Sequence, residues 1–271
     1  MVDKKIGKTE KEFEIKDVTT CEATQQMLLK ARLDGVETHF DRAVNMKACP
    51  IGADSACCKN CFMGPCRMNP KDPYAKVGVC GAGIDTIQAR NFGRMVATGT
   101  ACHNDHGMTM LDIFRDVVQG KIKDYRIKDV GKLESVAQSI GIETEGRSVE
   151  DIAMELYHEL EKTYTQVEGE IPFAKRVPPK TLEMWRKHGI VPRGAMREIM
   201  EMLSRTHIGM DQDYTNLIKQ ISRTALVDGW GGSMVATEIS DILFGTPSPV
   251  SVEVNMGVLK EDQVNIIVHG H

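Results

Sequence analysis

Apolar residues recur at helical spacing through most of the first 245 residues. Residues 20–44 and 84–119 each predict an amphipathic helix, and Gly99 and Gly107 are candidate break points in the second. Further helices are predicted over residues 148–164, 179–188, 194–207 and 214–244, the last interrupted at Gly229, Gly231 and Gly232. The pattern therefore predicts a mainly α fold up to Gly245.

The pattern changes after residue 245. Residues 246–250 form a Pro-rich turn, and residues 264–268 are a short β-branched run that predicts a buried strand. We interpret this run as the first strand of a Rossmann-like α/β domain. Because the sequence stops at His271 and leaves the strand without partners, we expect that domain to be truncated. Two domains are thus predicted, a helical one over residues 1–245 and the start of an α/β domain over residues 246–271.

Composition narrows the class of protein. The 271 residues carry a formal net charge of -4, so the composition indicates no basic surface for nucleic acid. The sequence also contains no run of about 18 apolar residues, the length needed to span a bilayer. The first 17 residues are charged and lack the apolar stretch of a secretory signal. We therefore expect a cytoplasmic protein with no membrane span and no nucleic-acid partner. In that reducing compartment, its eight cysteines are expected to serve metal or redox chemistry rather than disulfides.

Six of the eight cysteines lie between Cys49 and Cys80, in a segment rich in Gly, Pro, Asn and Lys. Four of them have the spacing that a cubane cluster requires, three close together and one distant: Cys58, Cys61, Cys66 and Cys80. A 4Fe–4S cluster takes four thiolates in this way. A closed tetrahedral zinc site is the alternative, since it uses the same four ligands at related spacings.

The remaining two cysteines of the segment, Cys49 and Cys57, are too few to close a cluster within one chain. Cys57 is adjacent to Cys58, so its side chain is expected to point away from the metal that its neighbour binds. Two copies of the chain about a twofold axis would supply four thiolates, which indicates a cluster shared at a dimer interface. The alternative is that both residues are buried thiols with no ligand role.

The cysteines belong to longer motifs. Residues 61–66 read Cys-Phe-Met-Gly-Pro-Cys, and residues 78–82 read Gly-Val-Cys-Gly-Ala. Residues 89–94 read Ala-Arg-Asn-Phe-Gly-Arg, residues 99–107 read Gly-Thr-Ala-Cys-His-Asn-Asp-His-Gly, and residues 269–271 read His-Gly-His. Together, in this order, the motifs resemble the N-terminal part of anaerobic nickel-iron carbon monoxide dehydrogenases, and they cover most of the chain.

The resemblance implies a role for each group of residues. Cys58, Cys61, Cys66 and Cys80 would bind the B cluster, a 4Fe–4S cluster within the chain, and Cys49 and Cys57 would supply half of a 4Fe–4S D cluster shared by two chains. His271 would ligate the nickel-iron-sulfur C cluster, with His269 as the alternative ligand. His103 and His106, one helical turn apart, would help to move protons. The alternative for this last pair is two histidines hydrogen-bonded in the core.

The activity that the resemblance implies is the oxidation of carbon monoxide with water to carbon dioxide, two protons and two electrons. The resemblance also implies that the chain forms a homodimer. A ferredoxin-type protein is the expected electron acceptor, and an acetyl-CoA synthase subunit is a candidate partner. The C cluster needs further cysteines downstream, and none follows Cys102. We therefore expect this chain alone to be inactive.

Two other classes of protein are alternatives to the dehydrogenase. A stand-alone dimeric iron-sulfur protein for electron transfer or cluster assembly is the rival function, and a zinc-stabilised interaction domain is a third. Cys21 and Cys102 have no cluster role in the resemblance, and both are expected to be buried apolar thiols.

Overall fold

A computed structural model describes residues 12–46, 49–69, 71–249, 262 and 264. Contacts between residues divide the chain into two units, of which residues 50–248 form the larger. The predicted strand at residues 264–268 lies outside the described residues, apart from Val264. The α/β domain and the boundary at residue 245 therefore stay predictions, whereas the mainly α character of the preceding chain is confirmed.

In its described residues, the smaller unit contains three helices: α1 (Ile15–Val18), α2 (Glu22–Leu33) and α3 (His39–Asn45). The single helix predicted over residues 20–44 is thus two helices. Gly35 has a φ of 68°, a left-handed conformation that glycine adopts at low cost. The N–H groups of Gly35 and Val36 donate to the carbonyls of Arg32 and Ala31, which ends α2. The helix α3 then begins where the Thr38 N–H donates to the Asp41 carboxylate at 2.7 Å.

The larger unit is a helical body with a small cysteine-bearing ribbon. Its elements are α4 (Pro50–Ala53), β1 (Cys57–Cys58), β2 (Cys66–Arg67), α5 (Ile84–Val118), α6 (Val130–Ser139), α7 (Val149–Thr165), a 3-10 turn (Pro172–Arg176), α8 (Pro179–His188), α9 (Ala195–Arg205), α10 (Tyr214–Val227), a π-helical segment (Asp228–Ser233) and α11 (Met234–Phe244). The helices predicted over residues 148–164, 179–188 and 194–207 are confirmed to within two residues. The helix α6 was not predicted.

The long helix α5 lies at the centre of this unit and packs against α7, α9, α10 and α11. It runs without a break through Gly99 and Gly107, so neither glycine is a break point. Fully buried side chains from several helices fill the core beside it: Phe114, Leu133, Leu156, Leu160 and Ile239. Burial of each such side chain contributes about 1.5–3 kcal/mol, so α5 is a rigid support for the residues along it.

The interruption predicted at Gly229, Gly231 and Gly232 is a π-helical segment between α10 and α11. It packs directly on the backbone of α5. A Cβ atom on Gly232 would lie 2.6 Å from the backbone nitrogen of Asn104 and from the backbone carbonyl of His103. Since real Cβ atoms do not approach a backbone that closely, glycine is the residue that fits there. This close approach places the end of the π-helical segment beside the middle of α5.

A buried ionic network joins α9 to the loop that precedes α10. The Glu198 side chain is fully buried and accepts from Arg193 at 2.9 Å. Glu201 accepts from Arg193 at 2.6 Å and from Arg205 at 2.7 Å, and Arg205 also binds Asp211 at 2.8 Å. Burial raises the pKa of Glu201, but hydrogen bonds from the two arginines outweigh it and hold that pKa at about 2. The network fixes the position of the loop around Asp211.

Candidate iron-sulfur site

The cysteine segment is brought together by a two-residue ribbon. The strands β1 and β2 pair antiparallel, with Cys58 opposite Cys66. The turn between them passes through Gly64, where a Cβ atom would lie 3.0 Å from the Cys58 carbonyl oxygen and 3.2 Å from the Cys66 nitrogen. Glycine therefore allows the chain to fold back closely enough to bring Cys61 beside the paired cysteines.

Four cysteines line one pocket in the larger unit, together with residues of α5 and of the loop after α9. The lining includes Cys58, Cys61, Cys66, Cys80, Ile87 and Arg90. Among the described residues, no three His, Cys, Asp or Glu side chains are close enough to hold a single metal ion. The four predicted B-cluster cysteines thus converge on one cavity.

Two of these thiols accept hydrogen bonds from the protein. The Val79 N–H donates to Cys66 Sγ at 3.5 Å, and Arg90 Nη1 donates to Cys80 Sγ at 3.6 Å. Burial raises the pKa of the Cys80 thiol, but the Ala82 N–H and the Arg90 guanidinium lower it by more, and the net pKa lies below its ordinary value. Because metals bind the thiolate, this environment favours Cys80 as a ligand.

Side chains from the first turns of α5 hold the cysteine segment in place. Gln88 Nε2 donates to the Asp54 carbonyl at 2.8 Å, and Asn91 Nδ2 donates to the Ser55 and Cys57 carbonyls at 3.0 and 3.1 Å. These residues have no metal-ligating chemistry, so a search for ligands in the sequence does not find them. They attach an irregular loop to a rigid helix.

The loop before α10 closes the pocket from the other side. Gln212 Nε2 donates to the Cys80 carbonyl at 3.1 Å, and Thr86 Oγ1 donates to the Gln212 carbonyl at 2.8 Å. Arg90 Nη2 donates to the Asp211 carbonyl at 2.5 Å. These partners are more than 120 residues apart in sequence, and no local pattern predicts them.

Cys49 and Cys57 do not share the environment of the other four cysteines. Cys57 is half-buried and does not line the pocket, as expected for the neighbour of Cys58 in a strand. Cys49 is exposed and belongs to the smaller unit. Their bridging role stays a prediction. The buried-thiol prediction for Cys21 and Cys102 is wrong, because both are exposed, Cys102 on the outer face of α5.

The two candidate proton-transfer histidines lie on α5. His103 is half-buried, and its Nδ1 lies 2.8 Å from the Asp228 carboxylate in the π-helical segment. His106 is exposed, so it is not the core histidine of the alternative interpretation. Asp228 was not predicted from sequence. The sequence feature that could have pointed to it is the glycine-rich interruption, which begins at this residue. His269 and His271 lie outside the described residues.

Comparison with known proteins gives the family. Residues 56–271 match the model of the Prismane/CO dehydrogenase family. The chain belongs to this family. It is 48% identical over 250 residues to carbon monoxide dehydrogenase 1 of Methanosarcina acetivorans, an alignment that covers 92% of this chain and 40% of the relative. It is 41% identical over 260 residues to the carbon monoxide dehydrogenase/acetyl-CoA synthase subunit beta of Moorella thermoacetica, covering 94% of this chain and 38% of that relative.

Solved structures agree with the sequence comparisons. The Ni-free carbon monoxide dehydrogenase of Thermococcus sp. AM4 superposes with a TM-score of 0.87 at 41% identity, over 95% of this chain and 41% of that one. A chain of an acetyl-CoA synthase/carbon monoxide dehydrogenase superposes with a TM-score of 0.85 at 41% identity, over 91% and 37%. The chain therefore spans about 40% of the length of the relatives that it matches. In the described residues, no helix has the length and apolarity to cross a membrane.

Proposed function

We propose that this chain is the amino-terminal part of an anaerobic nickel-iron carbon monoxide dehydrogenase and that Cys58, Cys61, Cys66 and Cys80 bind its B-type 4Fe–4S cluster. The observation that carries the proposal is the convergence of these four thiols on one pocket. Membership of the Prismane/CO dehydrogenase family supports it. When bound, such a cluster accepts and passes on single electrons, and the protein supplies the ligands and their surroundings.

A zinc ion and a 4Fe–4S cluster require different separations of the four sulfurs that bind them. A single tetrahedral zinc ion with Zn–S bonds of about 2.3 Å requires its four sulfurs to lie about 3.8 Å apart. No such compact ligand group occurs in the described part of the chain. In a cubane each thiolate binds a different iron, so the sulfurs lie further apart around a larger body. Asn60 Nδ2 is buried in the pocket wall without a hydrogen-bond partner, so it can serve as a donor to a cluster sulfide.

Cys49 and Cys57 are proposed to supply half of a D-type 4Fe–4S cluster that two copies of the chain share. The support from the structure is that Cys57 lies outside the four-cysteine pocket, which leaves its thiol for another site. Two such thiols per chain meet the four-ligand requirement only in a homodimer.

His103 and His106 are proposed to carry protons in the complete enzyme. The His103 Nδ1 is held by the Asp228 carboxylate at 2.8 Å, and this contact orients the imidazole ring. His106 follows three residues later on the same face of α5. His271 is proposed to ligate the nickel-iron-sulfur C cluster, with His269 as the alternative, by resemblance alone.

The 271 residues alone are proposed not to oxidise carbon monoxide, since no cysteine follows Cys102 to complete a C cluster. The complete enzyme is proposed to transfer its electrons to a ferredoxin-type acceptor. An acetyl-CoA synthase subunit is a candidate partner, because relatives of this chain include the Moorella thermoacetica carbon monoxide dehydrogenase/acetyl-CoA synthase subunit beta.

Anaerobic purification of the chain tests the proposal. We expect a brown protein with broad absorbance near roughly 400 nm from thiolate-bound iron-sulfur clusters, and no carbon monoxide-dependent reduction of a viologen dye. A colourless protein containing zinc would overturn the cluster assignment. Viologen reduction by the 271 residues would overturn the proposed inactivity.

A further inference from the structure

The wall of the four-cysteine pocket contains a buried positive charge, the guanidinium of Arg90. This side chain is 1% exposed. Its Nη1 lies 3.6 Å from Cys80 Sγ, and its Nη2 donates to the Asp211 carbonyl at 2.5 Å. The residue lies on the rigid helix α5, so its position relative to the pocket is fixed by the core behind it.

Arg90 has no carboxylate partner in the described residues. The nearby Asp211 carboxylate is engaged by Arg205 at 2.8 Å, and only its backbone carbonyl reaches Arg90. The Arg90 Nε is buried without a hydrogen-bond partner. A buried charge is costly unless a charge of opposite sign lies close to it. Among the described residues, the anionic groups that the geometry offers Arg90 are the Cys80 thiolate and the anionic body that the pocket cysteines would bind.

Hydrogen bonds around Arg90 hold its guanidinium facing the four-cysteine pocket. Thr86, one turn earlier on α5, donates to the Gln212 carbonyl at 2.8 Å, and Gln212 donates to the Cys80 carbonyl at 3.1 Å. The loop, the helix and the ligand cysteine thus form a closed ring of hydrogen bonds around the guanidinium. A charge held in this way is not free to turn toward solvent when the charge of the site changes.

We propose that Arg90 raises the reduction potential of the cluster that Cys58, Cys61, Cys66 and Cys80 bind, and so sets how readily this site accepts an electron. The inference rests on the proposed function. Reduction adds one electron and makes the thiolate-bound cluster one unit more negative, with no bond made or broken. A fixed positive charge and an N–H donor at a ligand sulfur stabilise that more negative state in a buried, low-dielectric site.

Potentiometric titration of the complete dehydrogenase or of the cluster-loaded chain tests this role, with electron paramagnetic resonance as the readout. The variants are Arg90→Met, which removes the charge and the donor, and Arg90→Lys, which keeps the charge. The control is Arg67→Met, which removes an exposed arginine next to the ligand Cys66. Solvent screens an exposed charge, so the control is expected to move the potential little.

We expect Arg90→Met to raise the oxidised-to-reduced ratio at a fixed applied potential by about tenfold, equal to about 59 mV for one electron. Arg90→Lys should change this ratio less than Arg90→Met does, and Arg67→Met should change it by less than about twofold. Equal potentials for Arg90→Met and Arg67→Met at equal iron content would overturn the inference. If Arg90→Met binds no iron, retention of the cluster by Arg90→Lys supports a charge requirement, and loss of iron from both overturns it. A wild-type chain with no cluster signal would instead contradict the proposed function.

Discussion

The contact between Gly232 and the backbone of α5 gives a direct test of how the π-helical segment is held. In Gly232→Ala, the new Cβ would lie 2.6 Å from the Asn104 nitrogen and the His103 carbonyl. Both neighbours are backbone atoms of a central helix, so neither can rotate away as a flexible side chain would. To restore an ordinary contact of 3.4 Å, α5 and the segment must separate by about 0.8 Å, the difference between 3.4 and 2.6 Å.

Overpacking of this kind costs about 1–3 kcal/mol, and each kcal/mol lowers the melting temperature of a domain of this size by about 2–4 °C. We therefore expect Gly232→Ala to melt about 2–12 °C below the wild-type chain in an anaerobic thermal scan followed by circular dichroism at 222 nm, where helix content is measured.

The matched control is Gly229→Ala in the same π-helical segment. No atom lies within 4 Å of the Cβ that this change adds, and alanine favours helical backbone over glycine by up to about 1 kcal/mol. This variant should melt at the wild-type temperature or slightly above it. A Gly232→Ala chain that melts together with Gly229→Ala would refute the close packing of the segment on α5.

Three further predictions concern ligands, proton transfer and pH. Cys61→Ala should lower the iron content and the absorbance near roughly 400 nm, whereas Cys102→Ala, at an exposed thiol outside the pocket, should leave both unchanged. In the complete dehydrogenase, Asp228→Asn should slow carbon monoxide oxidation about tenfold or more, because the histidine it orients loses its anionic partner, and the exposed Asp105→Asn should not. The folded-state pKa of Glu201 is about 2, below its ordinary 4.5, so the stabilisation from this carboxylate is complete above pH 4.5 and is lost as the pH falls toward 2. On acidification, the free energy of unfolding measured with urea should therefore fall by about 1–2 kcal/mol less in Glu201→Gln than in the wild-type chain. Equal pH profiles for the two proteins would contradict the assignment.

Local pattern predicts most of the helical body, because each helix buries one face. The period of apolar residues that marks α5 is produced by the side chains that fill the core, such as Phe114 and Leu111. The missed helix α6 had a usable signal. Asp129 caps it by accepting from the Lys132 N–H at 2.9 Å, and Leu133, Val136 and Ala137 follow at helical spacing.

Two features of the helices could not be read from pattern. A glycine in a helical run predicts a break when only its propensity is considered, yet Gly107 lies in the middle of α5, buried where Gly232 approaches. The burial expected for Cys102 was wrong because residue type gives only an average tendency, and the orientation of α5 turns this position outward. Both outcomes depend on how helices pack on one another.

Part of the candidate site could likewise be predicted from the sequence, and part could not. The spacing of Cys58, Cys61, Cys66 and Cys80 predicts one shared site, and the four thiols line one pocket. Arg90 and Asp228 were not predicted, since each acts on a partner at long range or across two elements. A buried arginine is indistinguishable from a surface arginine in sequence until the fold places Asp211 and Cys80 beside it.

The iron content of the anaerobically purified chain tests the central claim most directly. One B-type cluster per chain and half of a shared D-type cluster predict about six iron atoms per chain. The double variant Cys49→Ser/Cys57→Ser should retain about four, since only the shared cluster is lost. A wild-type chain that contains about one zinc ion and no iron would contradict the account, because the four-cysteine pocket would then be a structural zinc site.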